Sequence, residues 1–180
     1  MTSEQQLEHW LAREQEILSK IETGPGPGVA SAEQVAGKTG LAIIQGIMNG
    51  ELPYAAIAQT LDFLIVEADA GHVVFQGTPL VRHLNPLGTV HGGWIATLLD
   101  SALGCAVHTM MPPGRGYTTA ELGVNYVKAV TPRLQRVRAE GKVIHCGRQL
   151  ATAEARLFGP DGTLYAHATT TCLVFDIPDR

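Results

Sequence analysis

Asp100 stands in the middle of a long apolar-periodic run, His91 to about Met110, where a carboxylate has to be hydrogen-bonded or put to work. Wound as a helix, that run places Trp94, Ile95, Leu98, Leu99, Ala102, Leu103, Ala106 and Val107 on one broad apolar stripe, and Gly93, Thr97, Asp100 and Gly104 on a second, narrow one. The narrow stripe is small apart from its one acid, which suits close approach by another backbone. Asp disfavours helix interiors, and this one lies far enough from either end that capping does not account for it. At the start of the same run, after a loop rich in Gly and Pro, come His91, Gly92 and Gly93. The unpaired N–H groups of a helix N-terminus can stabilise a negative charge that develops there, so this is a candidate oxyanion hole; glycines before a helix are also ordinary turn residues.

The two features cannot serve one carbonyl within one chain. Gly92 and Asp100 are eight residues apart, roughly 12 Å along a helix. If two copies pack with these helices antiparallel, the N-terminus of one meets the middle of the other, and the expectation is a two-fold homodimer with two equivalent shared sites.

Other chemistry is poorly supported. Ser101 lacks the G-x-S-x-G elbow of serine hydrolases. Three cysteines, Cys105, Cys146 and Cys172, are far apart and show no C-x-x-C pair, so they read as reduced, mostly buried thiols. His9, His72, His83, His108, His145 and His167 have no metal-ligand spacing, and no metal site is expected.

The elements that must position Asp100 follow from periodicity. Leu7, Trp10, Leu11, Ile17, Leu18 and Ile21 mark an amphipathic helix that stops at Gly24-Pro25-Gly26-Pro27-Gly28. Ser31 with Gln34 forms a capping box that opens a second helical stretch through Val35, Leu41, Ile44 and Ile47, weakened by Gly37, Gly40 and Gly46. Leu61 to Glu67 and His72 to Thr78 read as two strands around an Ala68-Asp69-Ala70-Gly71 turn. Residues 79–90 are aperiodic, and the long helix follows. Four strands come next, Thr118 to Val130, Arg133 to His145, Gln149 to Phe158 and Thr163 to Phe175, with short turns that favour antiparallel neighbours. In the second of them Arg136, Arg138, Glu140 and Lys142 alternate with Val137, Ala139, Gly141 and Val143, predicting one wet face and one covered face. Ala151, Ala153, Ala155, Ala166 and Ala168 keep a sheet face shallow enough to admit a helix. The expected fold class is α+β: a curved antiparallel sheet wrapped around one long central helix, with an N-terminal helical extension.

Composition agrees with one globular domain. The 180 residues are 45% hydrophobic and 17% charged, with formal net charge −4. Residues 1–60 hold Arg13, Lys20 and Lys38 against seven Glu, while the remainder balances. That asymmetry makes phosphate-backbone binding a poor first reading, so nucleic acid is not expected as a partner. The N-terminus lacks a basic signal-like region, and apolar stretches such as Leu41 to Ile44 fall far short of the ~20 residues of a membrane span. No membrane partner and a cytoplasmic address are the expectation.

The segment HLNPLGTVHGGWIATLLDSALG, residues 83–104, resembles the signature of the hotdog-fold acyl-CoA thioesterases, in particular the PaaI-type (phenylacetate-pathway) branch. The resemblance continues through residues 119–130 and 148–158 and covers about residues 60–176. It implies a domain division into a helical extension, 1–59, and a hotdog thioesterase domain, 60–180. It also implies Asp100 as catalytic carboxylate, either general base or nucleophile, and Gly92 as the amide that polarises the thioester carbonyl. Asn85 and His91 match the residues that position the thioester and the attacking water from the opposite subunit, and Thr119 falls where the family commonly has Ser or Thr beside the carboxylate. Arg148, on a turn next to Gly147, is similar in position to the basic turn that meets the nucleotide, and Gly93 lies in the same candidate coenzyme A site.

A thioester is activated enough for a positioned water, a carboxylate and fixed N–H dipoles to suffice, so no cofactor is expected. Lys128, Arg133, Arg136, Arg138, Lys142, Arg148 and Arg156, against Glu140 and Glu154, give a basic excess suited to coenzyme A. The resemblance implies dimers that often pair into tetramers. The alternative function is a non-catalytic acyl-CoA-binding sensor on the same fold; a hotdog dehydratase would need a histidine base in its own motif, which is not found. For the extension, Trp10, Leu11 and Ile17 leave three roles open: packing on the sheet, covering an acyl channel, or joining subunits.

Overall fold

The computed structural model describes residues 1–177. Its helices are α1 (Ser3–Ile21), α2 (Ala32–Val35), α3 (Gly40–Met48), α4 (Ala56–Thr60) and α5 (Gly92–Thr109), and its strands are β1 (Phe63–Asp69), β2 (His72–Gly77), β3 (Arg115–Tyr126), β4 (Val137–Cys146), β5 (Leu150–Phe158) and β6 (Leu164–Asp176). The strands form one antiparallel sheet in the order β1-β2-β4-β5-β6-β3, curled around α5 as expected for a hotdog fold.

The central contact is made possible by small side chains. Leu98, Leu99, Ala102, Leu103, Ala106 and Val107 of α5 are fully buried, facing Ala139, Ala151, Ala153, Ala155, Ala166 and Ala168. Gly141 is the tightest point, because a Cβ there would lie 2.3 Å from the Ala102 carbonyl oxygen. Neither backbone can yield without moving the whole helix. Gly141→Ala is therefore expected to destabilise the protein by about 3 kcal/mol, read as a lower urea midpoint with unchanged slope.

The strand order departs from the sequence reading at one place. The short Thr131-Pro132 link suggested that the third and fourth strands are neighbours; instead β3 pairs with β6, from Arg115 opposite Asp176 to Tyr126 opposite Ala166, and β4 lies between β2 and β5. The connection spans the sheet's end, anchored where Val90 N–H donates to Val130 O (2.9 Å) and Val127 N–H to Tyr165 O (2.8 Å). Ten residues between Tyr126 and Val137 are enough for a crossing, so turn residues alone did not fix adjacency.

The second helical stretch is also divided. Gly37 takes a positive φ of +69°, which ends α2 and lets Thr39 cap α3 separately. Gly40 then sits so close to His108 that a Cβ would fall 1.7 Å from its carbonyl oxygen, which seats α3 against α5. The short α4 has no side-chain cap and no periodicity long enough to read.

The face of β4 expected to be wet is partly covered, by α1. Trp10 packs edge-to-face on Phe158 with ring centroids 5.8 Å apart, and the Arg138 guanidinium lies 4.6 Å from the Trp10 ring centre. Arg138 is only 5% exposed and donates to Gln76 (2.9 Å) and Glu67 (2.6 Å). Gln76 in turn donates to Glu14, which Arg136 grips at both oxygens, 2.6 and 2.7 Å. The helix also closes one sheet edge, since Arg13 Nε donates to the Val66 carbonyl at 2.9 Å.

Candidate active site

Asp100 faces away from the sheet's small-residue floor, on the half-buried side of α5, and Thr119 Oγ1 donates to its Oδ1 at 3.0 Å across 19 residues of sequence. Thr119 shares its face of β3 with Tyr117, which packs at Gly104 of the helix, and the bulge between Thr119 and Glu121 shifts the alternation only beyond this contact. No cation pairs with Asp100 among the described residues. Ser101 and Thr97 hydroxyls donate back into the helix, to Thr97 O (2.8 Å) and Gly93 O (2.9 Å), so Ser101 is not presented as a nucleophile.

Around the carboxylate the surroundings are neutral. Burial, with a contribution from Asp100, pushes the Cys105 thiol up to about 12. Burial and the nearby thiols likewise hold the Tyr117 phenol well above its ordinary value. Tyr117 fits because Gly104 has no side chain, since a Cβ there would meet its hydroxyl at 2.8 Å.

At the helix N-terminus, His91 is the N-cap and its Nδ1 accepts from Gly93 N–H at 2.9 Å. The bond fixes the tautomer: Nε2 carries the proton on an exposed ring. It also engages the Gly93 amide, leaving Gly92 N–H as the donor without an acceptor among the described residues. Tyr126 closes over this point, donating to Gly92 O at 3.0 Å, with its ring 3.1 Å from where a Gly92 Cβ would be.

Asn85 works inside its own loop. Its Oδ1 accepts from Leu87 and Thr89 N–H (2.9 and 3.3 Å), and its Nδ2 donates to Thr89 Oγ1 (2.9 Å), leaving one Nδ2 hydrogen uncommitted. The loop is tied to the helix start where His91 N–H donates to His83 O (2.8 Å). His83 is buried, stacked on Trp94 with centroids 5.2 Å apart and 3.0 Å from Asp62 Oδ2; desolvation by that burial lowers its pKa.

Arg148 is exposed on the turn between β4 and β5, its carbonyl accepting from Arg115. The basic excess around it is smaller than the sequence suggested. Arg136 and Arg138 are consumed beneath α1 and Lys142 pairs with Glu140 at 2.8 Å, which leaves Lys128, Arg133, Arg148 and Arg156 exposed. Among the described residues no three His, Cys, Asp or Glu side chains are grouped to hold a metal ion.

Thus Asp100 and Thr119 meet within one chain, His91, Gly92 and Gly93 form a second cluster with the Asn85 loop behind it, and Arg148 stands apart. Tyr117 and Cys105 flank the carboxylate without having been singled out for chemistry. Their signal was faint: a glycine, Gly104, on the same stripe as Asp100.

Residues 87–166 match the model of the thioesterase superfamily. A Halobacterium salinarum protein with a provisional esterase name is 33% identical over 92 residues, 50% of this chain and 59% of that protein, so the chain spans about three fifths of the curated relative it matches. Among solved structures, a phenylacetic acid degradation-related protein from Ralstonia eutropha JMP134, provisionally described as a thioesterase, is 27% identical with a TM-score of 0.67, covering 72% of this chain and 98% of that one. A point mutant of the phenylacetic acid degradation protein PaaI from Thermus thermophilus is 25% identical with a TM-score of 0.59, covering 65% of this chain and 96% of that one. By these matches residues 87–166 are similar to the thioesterase superfamily, and the chain has the hotdog fold of its PaaI-like structural relatives. No helix among the described residues is long and apolar enough to cross a membrane.

Proposed function

We propose that this protein hydrolyses acyl-CoA thioesters at two sites shared across a homodimer, the dimers being free to pair into tetramers. The observation that carries the reading is the Asp100 carboxylate, bonded to the Thr119 hydroxyl and to no cation among the described residues, on a thioesterase-superfamily helix whose N-terminal amide lies too far away to assist within one chain. Acting as base, Asp100 takes a proton from water while the water oxygen bonds to the thioester carbon. The carbonyl oxygen gains the negative charge opposite the Gly92 N–H of the other copy. The C–S bond then breaks and the proton passes to the coenzyme A sulfur, giving free acid and thiol. In the nucleophilic variant Asp100 itself bonds the carbon, the C–S bond breaks with coenzyme A leaving as thiolate, and water cleaves the resulting anhydride to free acid and carboxylate, its proton passing to the thiolate. His91 and the Asn85 loop orient the thioester and the water, and Arg148 meets the coenzyme A phosphates at the rim with Gly93 close by.

The sheet supports the dimer. Its β1 edge is covered by α1, whereas β3, twelve residues long, is the other edge strand, and such an edge is a template for pairing with a second copy. Asp100 lies beside that strand through Thr119.

Thiol release from a panel of aryl, arylacetyl, short-chain and long-chain acyl-CoAs tests the reading. Hydrolysis supports it; tight acyl-CoA binding without release would make the protein a sensor on the same fold. Thr119→Val is expected to lower kcat about tenfold with little change in KM, since one hydrogen bond to the reacting carboxylate is lost.

A further inference from the structure

We infer that the N-terminal extension builds the distal wall of the acyl-binding chamber, and that the chamber takes an extended, uncharged acyl group of about eight to twelve carbons. The inference rests on the hydrolase reading above and adds the substrate class.

One cavity of about 490 Å³ runs from Asp100 and Thr119 to the extension. Its far side is made by Ile17 and Ile21 of α1, Ile44 and Ile47 of α3 and Ile57 of α4. These isoleucines recur at helical spacing, four apart on α1 and three apart on α3, so each helix turns one apolar face to the same space. Phe63, Ile65 and Phe75 close it from the sheet side. Such a volume lies in the lower part of the range for small-molecule sites and is enough for an extended medium-length chain.

Charge points the same way. Three carboxylates line the cavity, Glu14, Asp62 and Asp100. Glu14 is gripped by Arg136 and Asp62 by Arg82, so among the described residues the one lining carboxylate without a cation is Asp100, at the catalytic end. Cys105 and Tyr117, both in the lining, stay protonated through burial. A tail bearing its own carboxylate would find no free cation among these lining residues, whereas a hydrocarbon tail meets isoleucine along its length. The thioester carbon therefore sits at Asp100 and the tail points toward α1 and α3. The family segment begins at residue 87, so the extension's wall lies outside the part of the chain shared with that model and can set selectivity independently of the chemistry.

The test is the chain-length profile of hydrolysis, acetyl- to hexadecanoyl-CoA, for wild type, Ile57→Trp and Ile47→Ala. Ile57 is 49% exposed, so Trp there needs no core space. The expected profile peaks between octanoyl and dodecanoyl; Ile57→Trp lowers the decanoyl-to-butanoyl ratio of kcat/KM at least tenfold, and Ile47→Ala shifts the peak to longer chains. A ratio unchanged in both folded variants, with hydrolysis intact, overturns the chamber and leaves the hydrolase reading standing. Calorimetric binding of decanoyl-CoA separates the opposite case. If no thioester is hydrolysed but the wild type binds decanoyl-CoA at least tenfold more tightly than Ile57→Trp does, the hydrolase reading falls and the chamber stands.

Discussion

The Asp100→Asn variant is expected to lose a factor of roughly 10²–10⁴ in kcat for acyl-CoA hydrolysis, with a small change in KM. Asparagine keeps the shape and the Oδ1 acceptor for the Thr119 hydroxyl, so the local geometry survives and only the negative charge goes. Stability is expected to be unchanged or slightly higher. A half-buried anion with no cationic partner among the described residues gives way to a neutral amide, beside a thiol whose pKa that anion helps to raise. The loss should therefore appear in the chemical step and not in folding or assembly, which kcat against KM, a thiol-trapping assay and light scattering read separately. Retention of more than about a tenth of wild-type kcat would remove Asp100 from the mechanism. Turnover of wild type in ¹⁸O-labelled water then tests the nucleophilic route: label in the Asp100 side chain requires that Asp100 bonded the acyl carbon and that water opened the anhydride at the aspartyl carbonyl, a step a general base never makes.

How much of this was legible beforehand depends on the range of the interaction. The long helix, its apolar stripe and the isolated acid at Asp100 are local periodicity, and α5 runs one residue inside the expected ends. The alanines of β5 and β6 declared a shallow face for the same reason. Strand order was not local: β3 lies at the sheet edge because of eleven paired positions with β6, which no turn motif encodes. Arg138 looked like a surface residue because alternation assigns a face but does not say what covers it, and Trp10, 128 residues earlier, covers it. Thr119 came from family likeness alone, as its contact with Asp100 has no sequence spacing to announce it. For the extension, three roles were open for Trp10, Leu11 and Ile17. Trp10 packs on the sheet and Ile17 lines the cavity, on one helix seven residues apart.

A shared site makes a prediction that no single-chain site can imitate. Gly92→Pro removes the amide hydrogen of the first helical residue while keeping a conformation that position accepts. His91 before it already has ψ of 134°, the extended backbone proline requires of its predecessor, and the neighbouring Tyr126 ring is 54% exposed and free to shift. Gly92→Pro and Asp100→Asn homodimers are each expected to hydrolyse acyl-CoA at about 1% of the wild-type rate or less. Co-expressed in equal amounts, they give mixed dimers in which one site carries both lesions and the other neither. Random pairing makes about half of the dimers mixed, and one of the two sites in each is intact, so activity should recover to about a quarter of wild type. The result is insensitive to whether dimers pair further, because the intact site is completed within the dimer. If both groups acted from one chain, every site in every dimer would remain broken and mixing would yield no recovery. The distance along α5 argues for the first outcome: an amide and a carboxylate roughly 12 Å apart on a rigid helix can meet one carbonyl only when a second helix brings the missing half.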